Sequence, residues 1–436
     1  MRPTSRIAEK IAPTRLGRSF RWLLSATIVN GIGDGVVLSA GPLLVASLTR
    51  DPFLVSLALL SEYLPVLLFG VFGGVAADRF DRRRMVVVVN VGRSIVLVVL
   101  VATIVTGAVS IAAVLIALFI LGTGEMLADS ATSTLLPSLV SRADLGLGNS
   151  RIQGAALLTN QLLLPPVGAY LFALGPAIPF ATNAICFALG AVLISRLGRD
   201  LRSARPARSN LRTETIEGLR WLWAHPPMRS LAITIFTFNV TFGAAWSVLV
   251  LYASERLGMG PVGFGLLTTA VALGGVVGTV IYGRLERRFS LADIMRVGLL
   301  IETATHLILA ITTSAIVALG TLVVFGTHAF VWGTTSTVVR QRAVPDALLG
   351  RVGGAYRVAV VGGIVIGTPI GGLLARSYGI TAPFWFAFCG SAILVTLLWR
   401  QFANIVAASE AGPASDGGEP KDVDKAGPAR PSRSTG

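Results

Sequence analysis

Six ionisable side chains stand where ionisable side chains are expensive. Asp34, Glu62, Arg93, Glu302, His306 and His328 each fall inside an apolar stretch long enough to cross a bilayer. There a charged group costs about 2.5 to 3.5 kcal/mol on insertion scales, and is kept for a pathway, a proton relay or an internal pair. At about 1.5 Å per residue, Asp34 lies about 21 Å and Glu62 about 22 Å from the same end of their helices, so the two carboxylates share one level. Arg93 is shallower, at about 12 Å, but its long side chain reaches toward the first helix. A buried carboxylate facing a guanidinium is either a static pair or a group that exchanges protons, because burial and the cation act on it in opposite senses. Glu302 and His306 are four residues apart and share a helix face, which suits proton sharing or contact with a cation. A lipid-buried structural pair is the simpler reading of those two. His328 has no partner close in sequence and reads as a packing histidine. Asn30, Asn160 and Asn239, with Trp246, are candidates for a cavity wall, although asparagine also binds helices together.

The same inventory excludes other chemistries. The only lysines are Lys10, Lys421 and Lys425, and none follows a glycine as a phosphate-binding loop requires, so energy has to come from a gradient. Ser, His and Asp do not gather in any loop, which argues against an enzyme. Cys186 and Cys389 both lie in apolar segments and build neither a disulfide framework nor a zinc site. No cofactor or metal is expected.

The elements that position these groups follow from composition. Of the 436 residues, 53% are hydrophobic and 14% charged, with mean hydropathy +0.74; a soluble domain carries about 25% charged residues. Between Arg151 and Arg196 lie 44 residues without Asp, Glu, Lys or Arg, interrupted only by LGPAIP at 174–179, which is two helices and a turn. Read this way, the first half spans the membrane near 20–47, 53–77, 85–106, 110–131, 152–173 and 177–195. The second half does so near 230–252, 262–283, 292–312, 315–338, 353–375 and 381–400. The chain is an all-α integral membrane protein of twelve transmembrane helices in two six-helix halves. No cleavable signal peptide precedes the first span, since residues 1–19 are polar and basic.

Orientation follows from the basic residues. With these spans, 33 of 37 Lys and Arg fall in the loops or at the span ends on one side, three (Arg50, Arg256 and Arg376) on the other, and Arg93 deeper within a span. Short basic loops stay cytoplasmic, so both termini face the cytoplasm. The net charge of +15 then belongs to topology and anionic lipid head groups, and nucleic acid is not a partner. The expected organisation is a cytoplasmic N-terminus (1–19), an N-terminal bundle (20–195), a cytoplasmic linker (196–229), a C-terminal bundle (230–400) and a disordered cytoplasmic tail (401–436). ETIEGLRWLWAHPPMR, ending the linker, suits an amphipathic interfacial helix. The halves repeat. At a shift of 205, Gly73, Asp78, Arg79, Asp81, Arg82 and Arg83 fall on Gly278, Gly283, Arg284, Glu286, Arg287 and Arg288. At a shift of 204, Gly122 and Thr123 fall on Gly326 and Thr327.

GGVAADRFDRRR at 73–84 resembles the signature of the major facilitator superfamily. NGIGDG at 30–35, LLPSLV at 135–140 and RQRAVPDALLGRVGG at 340–354 are similar to its branch of enterobactin exporters and macrolide efflux pumps. The resemblance covers all twelve spans but not the tail. It implies a secondary transporter, a monomer in the bacterial plasma membrane, that exports an amphipathic small molecule (drug, macrolide or siderophore) for protons by alternating access. An importer or symporter is the alternative within that fold; a lipid translocase or a membrane sensor is the alternative outside it. The resemblance also assigns a gate to Gly74, Asp78, Arg79, Arg82, Arg83 and Asp129. In it, Asp78 caps a facing helix and Arg82 or Arg83 pairs with Asp129 when the cytoplasmic side closes; positive-inside anchoring is the simpler reading of the cluster. The sequence departs from the signature at Asp81, where glycine is usual, and at Met85, where a basic residue is usual. Its fourth helix offers GTGEMLAD without the arginine of many proton-coupled drug antiporters, and its fifth has PPVGAY where Gly-Pro is common.

Overall fold

A computed structural model describes residues 13–198 and 211–410, without the side chains of 14, 71–79, 211–215 and 408–409. The expectations for 1–12, for 199–210, for the chain beyond 410, and for Gly74, Asp78 and Arg79 as gate residues lie outside what is described.

Long apolar helices account for nearly all of the described chain. In the first half they are α1 (Gly17–Leu48), α2 (Pro52–Arg79), α3 (Arg82–Val105), α4 (Ile111–Leu139), α5 (Leu145–Ala156), α6 (Leu164–Leu174) and α7 (Ile178–Ser195). A π-helical turn, Leu157–Leu163, joins α5 to α6, and together they make one span. α8 (Leu211–Ala224) leads into the second half, α9 (Pro226–Trp246), α10 (Pro261–Arg288), α11 (Leu291–Ile311), α12 (Ala315–Ala343), α13 (Leu349–Tyr378), α14 (Ala382–Leu398) and α15 (Gln401–Glu410). Ten helices are long and apolar enough to cross a membrane. The count reaches twelve when α9 is taken with Leu249–Arg256, across a 42° bend, and α14 with α15, across a 63° bend.

Local chemistry sets the helix starts. Asp81 accepts from Arg84 N at 2.8 Å to begin α3, Ser110 accepts from Ala113 N at 3.2 Å to begin α4, and Ser290 accepts from Asp293 N at 3.1 Å to begin α11. Proline opens α2, α9 and α10, where its missing N–H is harmless.

Several boundaries differ from the sequence reading. α4 runs to Leu139 and α12 to Ala343, well past the ends expected at 131 and 338. α12 ends in the polar turn Arg340-Gln341-Arg342, and α4 is carried on by Leu135 and Leu136, buried in the first-half core. Residues 401–410, expected in a disordered tail, form α15 instead, because Phe402 and Ile405 are fully buried against the second half.

The helix ends bearing Arg82, Arg83, Arg287, Arg288 and Arg340 define a basic end of the molecule. There the apolar core is split in two. One cluster joins Leu23, Val86, Leu135 and Ile194 of the first half; another joins Met228, Met295, Val339 and Phe402 of the second. At the opposite end a single cluster runs across both halves, uniting Leu44, Leu97 and Phe180 with Tyr252, Leu267, Leu322 and Phe384. The halves are therefore sealed together at the far end and separate at the basic end.

The sequence repeat has a packing meaning. A Cβ on Gly122 would sit 2.7 Å from the Glu62 carbonyl oxygen, and one on Gly326 would collide with the Val271 carbonyl. In both halves glycine lets the second and fourth helices touch backbone to backbone.

Candidate functional site

Between the halves lies a cavity of about 540 Å³, within the range of drug-sized sites. Its two walls differ in chemistry. The first half supplies Asp34, Glu62, Tyr63, Arg93, Glu125 and Gln161; the second faces them chiefly with Phe242, Trp246, Phe264 and Phe330. Phe242 and Trp246 stack at 4.6 Å and 26°.

Asp34 is placed by the glycines around it. A Cβ on Gly33 would meet Asn183 Cγ at 2.8 Å, and one on Gly35 would meet the Asn160 carbonyl oxygen at 2.9 Å. α1 thus fits closely between α7 and the π-turn and turns Asp34 to the cavity. The glycines of NGIGDG act here through packing. Arg93 comes across from α3, its Nη2 donating to Asp34 Oδ1 at 2.8 Å and lying 3.8 Å from Glu125 Oε2. Its guanidinium also lies 3.9 Å over the Phe187 ring. The stem passes Gly124 so closely that a Cβ there would be 2.7 Å from Arg93 Cγ. Arg93 is 5% exposed, Asp34 16% and Glu125 38%.

Of the residues predicted for this site, the structure brings Asp34, Glu62 and Arg93 into one cavity, with Asn160 and Trp246. Four others are placed elsewhere. Asn30 Oδ1 is buried against Gly190 of α7, and Asn239 Nδ2 donates at 2.7 Å to Ile235 O on its own helix, closing an i−4 bond common in membrane helices. Glu302 and His306 are buried between α11 and α12, away from the cavity. His328, read as a packing residue without a partner, lies 3.0 Å from Glu302 Oε2, a contact between helices that sequence spacing does not reveal.

Glu125 was missed. With the fourth span ended at 131 it stands near a helix terminus, whereas α4 extends to Leu139 and puts it in the middle. The signal available was one helical turn: Glu125 follows Gly122, the repeat glycine at the level of Glu62.

Pairing of Arg82 or Arg83 with Asp129 is expected only when the basic end closes, and here the apolar core is divided at that end. Arg82 Nη1 donates to Thr134 O at 2.9 Å, and Arg83 Nη2 donates to Ser195 O. Among the described residues neither is within ion-pair distance of Asp129. Cations at the C-terminal ends of α4 and α7 oppose the negative ends of the helix dipoles.

The sequence profile of the transmembrane secretion effector family matches residues 8–422. The chain belongs to this family. As a transmembrane secretion effector it is a major facilitator transporter, a multi-pass membrane protein and not an enzyme. It is 26% identical to the multidrug efflux pump Tap of Mycolicibacterium fortuitum, over 83% of this chain and 90% of that one. It is 23% identical to the enterobactin exporter EntS of Shigella boydii, over 90% of this chain and 96% of the other. Its backbone matches a crystal structure of the nucleoside transporter NupG with TM-score 0.70, at 12% identity, over 89% of this chain and 99% of that one. Tap and EntS agree with the branch that the motifs suggested, and NupG with the two-bundle fold.

Proposed function

We propose that this transmembrane secretion effector exports lipophilic cations across a bacterial plasma membrane in exchange for protons, with both termini in the cytoplasm. The observation that carries the reading is the charge of the cavity: three carboxylates, Asp34, Glu62 and Glu125, face one guanidinium, Arg93. Like charges in one poorly solvated space repel. Each carboxylate relieves the repulsion by holding a proton or by facing a cation. Protons and a cationic substrate thus compete for the same groups, which is the requirement for exchange. The opposite wall suits the organic part of such a cation, since Phe242, Trp246, Phe264 and Phe330 offer apolar area and ring faces. An anionic siderophore would bring further negative charge to a cavity already in excess. The split core opens the cavity side of the molecule toward the basic end, which is the cytoplasmic side if positive loops stay inside.

The test uses proteoliposomes, a lipophilic cation, and a neutral isostere of the same size. Uptake of the cation against its gradient should require an imposed pH gradient and collapse with an uncoupler. Glu125→Gln should weaken binding of the cation about tenfold more than that of the isostere, equivalent to about 1.4 kcal/mol. Preference for an anion, or uphill transport that survives the uncoupler, overturns the reading.

A further inference from the structure

The second half contains a polar cluster that the cavity does not use. Glu302 of α11 lies with Oε1 at 3.1 Å from His306 Nε2 and Oε2 at 3.0 Å from Nε2 of His328 on α12. The three side chains are 6%, 2% and 3% exposed. Aromatic rings stand between this triad and the cavity. His328 meets Phe325 edge to face at 6.2 Å, and Phe325 lies 5.4 Å from Trp246 of the cavity wall.

The repeat ties the triad to the first half. A shift of 205 carries Arg93 to Gly298, and a shift of 204 carries Gly124 to His328. In the first half the Arg93 stem lies on Gly124. In the second, a Cβ on Gly298 would stand 2.8 Å from His328 Nδ1. The large polar residue and the glycine have exchanged helices, and each half holds a basic side chain there, paired with a carboxylate from α1 in the first half and from α11 in the second. One group is open to the cavity; its counterpart is walled off.

Hydrogen-bond chemistry fixes what the triad lacks. An ionised carboxylate only accepts, so both Nε2 atoms that face it carry hydrogen, and both Nδ1 atoms are left as bare lone pairs. Both Nδ1 atoms are buried and without a protein partner among the described residues. With two neutral imidazoles the triad holds one uncompensated negative charge in an apolar interior, which is costly. One added proton cancels it. Among the described residues no other charged group supplies the balance: Asp293 and Arg296 pair with each other at the start of α11, Arg340 and Arg342 lie at the far end of α12, residues 284–288 close α10, Glu410 ends α15, and α14 carries no charge. Toward the basic end α12 carries one polar side chain per turn, at His328, Trp332, Ser336 and Arg340. Trp332 Nε1 is buried without a protein partner, Ser336 Oγ is 2.6 Å from the Tyr356 hydroxyl, and Arg340 lies 3.8 Å over the Tyr356 ring.

We propose that Glu302, His306 and His328 form a proton-binding site of the second half, separate from the substrate cavity, which takes up and releases one proton in each transport cycle. The proton is held on Nδ1 of one imidazole, whose Nε2–H faces the Glu302 carboxylate, and exchanges with the basic end along α12.

The chain has three histidines, so histidine-selective ¹⁵N NMR of the full-length protein reads the site directly, with His225→Gln identifying the third signal. At the pH of transport one imidazolium should be present across His306 and His328, and Glu302→Gln should abolish it. Two neutral buried rings throughout the transporting pH range overturn the proposal, and the wild-type spectrum decides this even if the variant fails to fold. The second measurement is the proton-to-substrate ratio, from the pH gradient that balances a known substrate gradient in proteoliposomes. Glu302→Gln should lower that ratio by one and leave substrate affinity unchanged. An imidazolium with an unaltered ratio would show a fixed charge and overturn the exchange. Failure of the cavity reading looks different: Asp34→Asn then leaves coupling intact, with the histidine signals in place.

Discussion

Replacing Arg93 by Gln should destabilise the protein more than replacing Arg93 and Asp34 together. The single variant removes a guanidinium 2.8 Å from Asp34 and leaves a carboxylate that is 16% exposed without its principal partner. Breaking one side of a buried pair costs about 3–5 kcal/mol. The lost stacking on Phe187, at 3.9 Å, adds about 2 kcal/mol when such a contact is desolvated. In Asp34→Asn/Arg93→Gln no charge is stranded, so only the stacking loss of about 2 kcal/mol persists. The double variant should then be more stable than Arg93→Gln alone by about 3–5 kcal/mol, roughly a hundredfold or more in the unfolding equilibrium. Glu125 does not alter the sign, because at 3.8 Å and 38% exposed its pairing is worth less than about 1 kcal/mol after solvent screening. Equilibrium unfolding of the purified protein in mixed micelles, for wild type, both single variants and the double, measures the cycle. A double variant no more stable than Arg93→Gln alone would refute the buried pair as the reason Arg93 is kept.

Three further outcomes follow from the same geometry. Asp34→Asn should abolish uphill export while substrate binding and downhill exchange continue, measured as accumulation with and without a pH gradient; normal uphill transport would remove Asp34 from coupling. Gly326→Ala should lower folded yield because its Cβ runs into the Val271 carbonyl, whereas Gly333→Ala on the same helix meets nothing within 4 Å and should be silent in the same size-exclusion assay. Phe402→Ala should cost about 3–5 kcal/mol as a fully buried aromatic truncation, seen as a lower unfolding midpoint; no change would return α15 to the status of a free tail.

The fold was legible because its signals are long and redundant. Apolar runs of about 20 residues and the one-sided distribution of arginine determine span number and pairing without reference to detail. The level of Asp34 with Glu62 was legible for the same reason, since rise per residue is constant along a helix. What escaped depends on rotation and helix length. Asn30 and Asn239 have the right depth but the wrong azimuth, and depth alone does not say which neighbour a helix face meets. Glu125 escaped because a hydropathy boundary marks where lipid ends, and α4 continues eight residues further. His328 and Glu302 are 26 residues apart on adjacent helices, so their contact is a property of packing. The glycines at 33, 35, 124 and 298 were visible as letters, but only close approach gives them a role.

The divided core at the basic end bears on how the chain is made. Each half there has a complete apolar cluster of its own, so the first bundle can mature while the second is still being synthesised. Only the far-end cluster needs both halves. Its first-half members, such as Leu44, Leu97 and Phe180, can wait against lipid tails at little cost, since hydrocarbon is as apolar as they are. Assembly is then a late docking of two finished bundles through one seam. A chain severed in the 199–210 segment should still find its partner in the membrane.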